Sequence, residues 1–420
     1  MKKLFVFLFV AGLIAASVSP LFAGGIDNKH NWSAEWVRSL NRNAATDSAD
    51  AVSYNPAGVM KMDNGFYLNA TGQYALKEYS NTEPNTAPFS GTEYTTDDPD
   101  FVPSLFALYK QDKWAAYGAV TIVEAGGKIN FENGDTTTAG LGWRIIGGSP
   151  LGAFTGILDH HLEGESYFIG YTIGGAYKIN DMISVSLGAR FVDASREFQG
   201  YATLGGGFAG TQTYSVDYEE TGDGWGGILG VNIAPTEELN IGLRYETKTS
   251  IDLETDVTTD TVPGGLVTQG ATRNRDLPAL LGLGVSYKFT PKIRVEANYT
   301  HYFNKDADWT DNPVTSGDET QKDDGYDIAI AFEYTFNPKW KASVGYMYTD
   351  VGIDPDNMSI ETPELDADTI AAGVAFKPAP NWDLNFGILE SFYKDDTTST
   401  GIKLEKNAVI IAVGVQYKFF

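Results

Sequence analysis

The chain has no cysteine, so a disulfide framework, a thiolate metal site and a cysteine nucleophile are all excluded. Basic residues are scarce: 30 Lys and Arg stand against 55 Asp and Glu, a formal charge of -25. Such a balance excludes nucleic acid as a partner, because phosphate contacts require a Lys/Arg surface. No run after the N-terminus approaches the roughly 18 apolar residues of a membrane helix. Histidine is limited to His30, His160, His161 and His301, which leaves little for a nucleophile and its base. Asp159-His160-His161 with Glu163 is the nearest approach to a metal set, but adjacent histidines point apart on an extended chain. The expectation is a protein that is not an enzyme, with no catalytic residue, no metal and no cofactor.

What the chain does have is Gly, at 46 residues, and Tyr and Phe, at 23 each, over 420 residues. That excess suits strands, aromatic girdles and tight turns. At the start, Met1-Lys2-Lys3 followed by apolar Leu4 to Ala16 and the site Leu21-Phe22-Ala23 reads as a cleaved signal peptide over 1–23. Further on, stretches of about ten residues alternate in character. Ile183, Val185, Leu187, Ala189 and Phe191 alternate with Ser184, Ser186, Gly188 and Arg190, and Tyr326 to Phe336 and Trp340 to Tyr348 behave alike. A period of two places one set on each face of a strand.

A soluble sandwich also alternates; loop length separates the two. Six connections are very short: Gln111-Asp112, Ile179-Asn180-Asp181, Pro235-Thr236-Glu237, Thr290-Pro291, Asn337-Pro338 and Pro378-Ala379-Pro380. Between them lie long polar stretches near 79–100, 124–164, 197–223, 253–275, 305–323, 351–365 and 394–403. Those seven hold roughly 30 of the 55 acidic residues and about 8 of the 30 basic ones. Short turns at one end and long loops at the other are the pattern of an outer-membrane β-barrel. Six hairpins, a leading strand and a closing strand predict about fourteen strands over 64–420, with both termini periplasmic. The acidic loops read as a solvated surface or as a divalent-ion bridge to lipopolysaccharide. The last strand ends in Phe420, the terminal aromatic that barrel assembly machinery reads.

Residues 24–63 do not alternate and are rich in small and polar residues, so they read as a tail or as a plug in the lumen. A barrel this wide has an interior that strand side chains alone do not fill. The run Ala49-Asp50-Ala51-Val52-Ser53-Tyr54-Asn55-Pro56-Ala57-Gly58 resembles the hatch motif of the FadL/TodX family of outer-membrane transporters. Gly224-Trp225-Gly226-Gly227-Ile228-Leu229-Gly230, Asp276-Leu277-Pro278-Ala279 and Pro363-Glu364-Leu365-Asp366-Ala367-Asp368 are similar to that family too, although Ala367 stands at or near a place where members often carry Arg. The resemblance implies an all-β, fourteen-stranded transmembrane barrel closed by an N-terminal hatch. It also implies a monomer that passively admits long-chain fatty acids or aromatic hydrocarbons. Ligand would be captured between extracellular loops and leave through the wall at a kink of the third strand, or past the hatch. The alternative is a general diffusion porin for small hydrophilic solutes.

Candidate binding residues follow. In the hatch they are Asn55, Pro56, Ala57 and Gly58. In the loop 124–164, apolar residues unusual for such a loop include Trp143, Ile146, Phe154, Ile157 and Leu158, which would either form a local core or line a capture groove. Gly126 and Gly127 follow the expected third strand, where they permit a bend that opens the wall or mark an ordinary exit into the loop.

Overall fold

A computed structural model describes residues 32–309 and 323–420. The expected signal peptide and the first hatch residues lie outside the described residues. The sheet is a single antiparallel ring of fourteen main strands. In chain order they are β1 (Gly65–Thr82), β2 (Asp100–Lys110), β3 (Trp114–Phe131), β4 (Gly156–Lys178), β5 (Ile183–Gly205), β6 (Gln212–Ile233), β7 (Leu239–Glu246), β8 (Ala279–Thr290), β9 (Ile293–Phe303), β10 (Gly325–Asn337), β11 (Trp340–Asp350), β12 (Ala367–Phe376), β13 (Trp382–Tyr393) and β14 (Lys403–Lys418). β14 pairs back onto β1 from Tyr67↔Lys418 to Thr82↔Lys403, and the ring closes. Closure gives each main strand a paired neighbour on both sides, which hydrocarbon demands of a spanning sheet.

All six short turns fall where the turn residues place them. Asn180 shows the local reason: its Oδ1 accepts from the backbone N–H of Met182 and Ile183, at 2.9 and 2.8 Å. The opposite ends differ from the expectation. Most of 197–223 is strand, since β5 runs on to Gly205 and β6 resumes at Gln212. These extensions do alternate, with Phe198, Ala202 and Leu204 set against Glu197, Gln199 and Thr203, and Val216 and Tyr218 against Ser215, Asp217 and Glu219, but their acidic and polar content made them read as loop. β7 is broken; its course continues as Asp252–Asp260, which pairs with the outer half of β6.

Polarity is inverted relative to a soluble protein. Large apolar side chains such as Ile173, Leu187, Leu229, Ile328, Ile330, Ile388, Ile411 and Val413 are exposed on the outer wall. Asn69, Gln73, Arg190, Asn232, Arg244, Glu246, Glu296 and Gln416 point inward and are buried. Aromatic pairs flank the apolar band: Trp340 stacks on Phe376 at 4.2 Å and Trp382 meets Tyr417 at 4.8 Å near the short turns. His301 joins Phe303 at 4.6 Å at the other end. That banding is what a bilayer selects.

Residues 32–63 fill the interior at the height of the inward polar residues. Short helices α1 (Ala34–Val37) and α2 (Ala51–Tyr54) are joined by turns. Ser33 caps α1 by accepting from the backbone N–H of Trp36 at 3.1 Å. The hatch satisfies itself and the wall together. Arg42 grips Asp50 at 2.5 Å and Asp47 at 2.7 Å. Arg38 reaches Glu333 at 2.8 Å and Asn385 at 3.1 Å. The backbone N–H of Ala44 and Ala49 donate to Glu296 and Gln416, at 3.0 and 2.6 Å. The wall comes close enough for this because side chains are missing where the hatch backbone lies against it: a Cβ on Gly345 would sit 2.1 Å from the Ser39 carbonyl oxygen.

Candidate functional site

Above the hatch, on the side of the long loops, the barrel encloses a cavity of about 620 Å³. Its floor and one wall come from β3 and β4, through Glu124, Gly127, Ile129, Leu162 and Phe168. β5 and β6 contribute Phe198 and Tyr218, which stack at 5.3 Å between ring centres. The loop from Pro355 to Glu364 supplies Met358 and Ile360 and closes the far side. Apolar faces therefore alternate with charged groups, several of which are paired among themselves. Arg273 and Arg196 both address Glu220, the latter at 4.0 Å. Arg275 lies 3.9 Å over the Trp309 ring and reaches Glu124 at 3.4 Å and Glu364 at 3.8 Å. Paired charges of this kind hold the outer strands in place while leaving apolar rings toward the cavity.

The loop between β3 and β4 contains helix α3 (Thr136–Gly148), capped by Asp135, whose side chain accepts from the Thr138 N–H at 2.9 Å. Burial, reinforced by the nearby Glu361 carboxylate, pushes the Asp135 carboxyl up to about 7. Thr137 donates to Glu361 at 2.5 Å, so this helix and the 355–364 loop meet over the cavity.

The wall is interrupted beside it. β2 pairs with β3 only from Lys110↔Ala115 to Leu105↔Val120. Above that point β2 continues to pair with β1 as far as Asp100, whereas β3 runs on to Phe131 unpaired to β2 in regular register. On its other side β3 slips against β4 twice, between Ile122 and Glu124 and between Glu124 and Gly127. Gly127 takes a φ of +70°, a left-handed conformation open to glycine without strain. The bend therefore lies within the third strand rather than at its exit, and Gly127 is shared between bend and cavity. Gly126 lies in the same irregular stretch of β3.

The remaining sequence candidates divide into two groups. Asn55, Pro56, Ala57 and Gly58 sit in the hatch: Asn55 donates to Asn232 of β6 at 2.7 Å, and Ser184 of β5 donates to the Ala57 carbonyl at 2.7 Å. In the outer loop, Phe154 is buried with Leu141, Ile145, Leu204 and Val262, and Ile146 and Ile157 pack against that cluster. Trp143 is half-buried on α3 and Leu158 is exposed. These five build a head above the barrel and do not line the cavity. His160 meets Thr138 at 2.9 Å and His161 stacks on Tyr201, so the two do diverge. Sequence reasoning missed the cavity's arginines. The one available signal was Arg273-Asn274-Arg275, two cations on one strand face in an acidic chain.

A family model described as "Outer membrane protein transport protein (OMPP1/FadL/TodX)" matches residues 166–419. The chain belongs to that family. Members of the FadL/TodX family are transport channels of the outer membrane, not enzymes. The long-chain fatty acid transport protein of Escherichia coli O6:H1 is 26% identical over 384 residues, covering 79% of this chain and 78% of that one. Outer membrane protein P1 of Haemophilus influenzae is 24% identical over 351 residues, covering 76% and 70%. Among solved structures, a Pseudomonas aeruginosa FadL homologue superposes with a TM-score of 0.71 at 14% identity, covering 92% of this chain and 98% of that one. The P. putida toluene transporter TodX superposes at 0.66 with 13% identity, covering 91% and 99%. At that identity the two structures speak for the fold of this FadL/TodX member.

Proposed function

We propose that this barrel admits hydrophobic molecules passively, long-chain fatty acids or aromatic hydrocarbons, across the outer membrane. The observation that carries the reading is the parting of β2 from β3 above Leu105 and Val120, next to a cavity that shares Gly127 with the bend. A hydrophobic solute gains nothing by re-entering water on the inner side, so an exit into the bilayer through Gly126-Gly127 suits it better than an aqueous bore. The hatch, with Asn55 to Gly58 held to the wall, supports the same reading over a diffusion porin. The loop head carrying Trp143, Ile146, Phe154, Ile157 and Leu158 stands above the cavity as its capture region. The periplasmic face is the short-turn side with both termini, Phe420 is the signal for the barrel assembly machinery, lipopolysaccharide surrounds the acidic loops, and the barrel acts as a monomer.

The test is uptake of a labelled long-chain fatty acid and of labelled toluene by cells that lack other such channels. Faster entry of either with this chain supports the reading and selects the ligand class. Entry of small sugars alone overturns it.

A further inference from the structure

Charge is distributed unevenly along the outer hairpins. Residues 145–158, 198–216 and 261–272 contain no Asp, Glu, Lys, Arg or His, in a chain with 55 acidic residues. The three runs meet in space. Gly156 pairs with Gly205, Leu204 with Gln212, and Val216 with Asp260. Together they form the distal end of β4, β5 and β6, which have 23, 23 and 22 residues, whereas β8 to β13 have 10 to 13. At roughly 3.3 Å per residue a 23-residue strand reaches about 75 Å along its own path, far more than a bilayer's apolar band requires. The uncharged ends therefore project beyond the acidic loops of the other hairpins.

Apolar side chains at this end are not folded away. Leu151 is 101% exposed, Phe208 74% and Leu158 59%. Leu151 and Phe208 are neighbours, because the Phe208 N–H donates to the Gly152 carbonyl at 3.0 Å. Acids that border the runs are engaged by neighbours: Asp260 accepts from the backbone N–H of Val262 and Val267, at 3.0 and 3.1 Å, Asp159 accepts from the Tyr201 hydroxyl at 3.1 Å, and Asp217 accepts from Gln199 at 3.1 Å. Beneath the tip the apolar contacts continue. Ile157 packs on both the Phe154 cluster and the cluster of Ile129 and Leu162, and the last two line the cavity.

We infer that this tip is a docking surface for a hydrophobic phase, the surface of an oil droplet or lipid aggregate, from which the transported molecule is drawn. An apolar phase accepts Leu and Phe side chains and penalises every charge brought into it. A tip that is apolar at its apex, free of charge over three hairpins and backed by apolar packing down to the cavity matches that partner. The acidic loops around its base stay in water. This rests on the proposed uptake of hydrophobic molecules and specifies how they are presented.

The test uses the full barrel in phospholipid nanodiscs, mixed with hexadecane droplets coated with phosphatidylcholine and centrifuged, with empty discs as the blank. The native protein is expected to float with the droplets. The double variant Leu151→Ser/Phe208→Ser should float at least fivefold less, and Phe208→Trp should float as the native does. Both positions are exposed, so the fold has no stake in them. In cells, the double variant should lose uptake of droplet-borne ligand and keep uptake of the same ligand dissolved in water. Equal flotation of native and double variant overturns the inference, as does flotation no greater than that of empty discs. It is also overturned if the tip residues matter only for association of barrel with barrel in the absence of droplets. Absence of uptake from both presentations would instead defeat the transport reading, and flotation would still decide the tip.

Discussion

Arg38 of the hatch ends 2.8 Å from Glu333 on β10, and both groups are shielded from water inside the barrel. The same guanidinium reaches Ser343 at 2.9 Å and Asn385 at 3.1 Å, so one hatch side chain ties together β10, β11 and β13. Removing it leaves a carboxylate inside the lumen short of a counter-ion, a loss on the order of 3–5 kcal/mol for a buried pair. Lys341, at 3.3 Å from Glu333, offsets part of that. Arg38→Ala is therefore expected to loosen the hatch without dismantling the barrel. The check is limited proteolysis in nanodiscs: cleavage within 32–63 should rise severalfold while the barrel stays intact.

Glu35 gives the hatch a pH dependence. Its Oε1 accepts from Ser48 at 2.9 Å, Asn69 at 2.6 Å and Asn385 at 3.1 Å. Burial, then the neighbouring Asp50 carboxylate, raises it from 4.5 to about 7, against the opposing pull of Arg42. A carboxyl raised in the folded state holds more protons than the unfolded chain between those two values, so stability falls as pH climbs through that window. The change is on the order of 3 kcal/mol at most for a shift of this size. Hatch protection from proteolysis should be greater at pH 5 than at pH 8. Glu35→Gln should flatten the difference, and an unaltered slope in that variant would rule Glu35 out as its source.

The residues that made the fold legible are those whose local chemistry repeats. Asn337-Pro338 and Thr290-Pro291 mark turns, and outward Ile328, Ile330 and Phe332 alternate because lipid lies on one side only. Outside the bilayer that contrast ends. Glu197 to Gly205 and Gln212 to Asp223 still bury one face, through Ala202, Leu204, Val216, Tyr218 and Glu220, but that face mixes Gly, Tyr and Glu with few large apolar residues, so strand and loop look alike there. Helix α3 was hidden for another reason: Thr-Thr-Thr-Ala-Gly-Leu-Gly has poor helix propensity, and only the Asp135 and Thr138 cap betrays it. The cavity was least legible, since Glu124, Phe198, Glu220, Arg275 and Met358 come together through the ring of pairing rather than through sequence spacing.

Gly127 carries a sharper expectation. Its φ of +70° is costly for a β-branched residue. Gly127→Val should drive β3 back toward extended geometry and narrow the parting from β2. Uptake of the hydrophobic ligand should drop at least tenfold while the folded, heat-modifiable band on a gel is kept. Normal uptake with the folded band present would place the exit elsewhere, with passage beside the hatch as the remaining route.

Met358 and Ile360 test the cavity without touching its ion pairs. Both are partly exposed on the 355–364 loop and line the cavity, and Met358 packs near Trp309 and Ile353. A carboxylate at either site faces a space already bounded by Glu124, Glu220 and Glu364, so repulsion and hydration both act against an apolar or acidic ligand. Met358→Asp should weaken ligand binding about tenfold or more, read by fluorescence titration of the barrel in nanodiscs, and Met358→Leu should leave it near native. If the two variants bind alike, the cavity is a structural void beneath the loops and the ligand travels by another path. If only Asp is harmful, and if a neutral aromatic suffers less than a fatty acid, the carboxylates at the wall select against charge. The arginines that pair with them would then serve chiefly to hold the wall together.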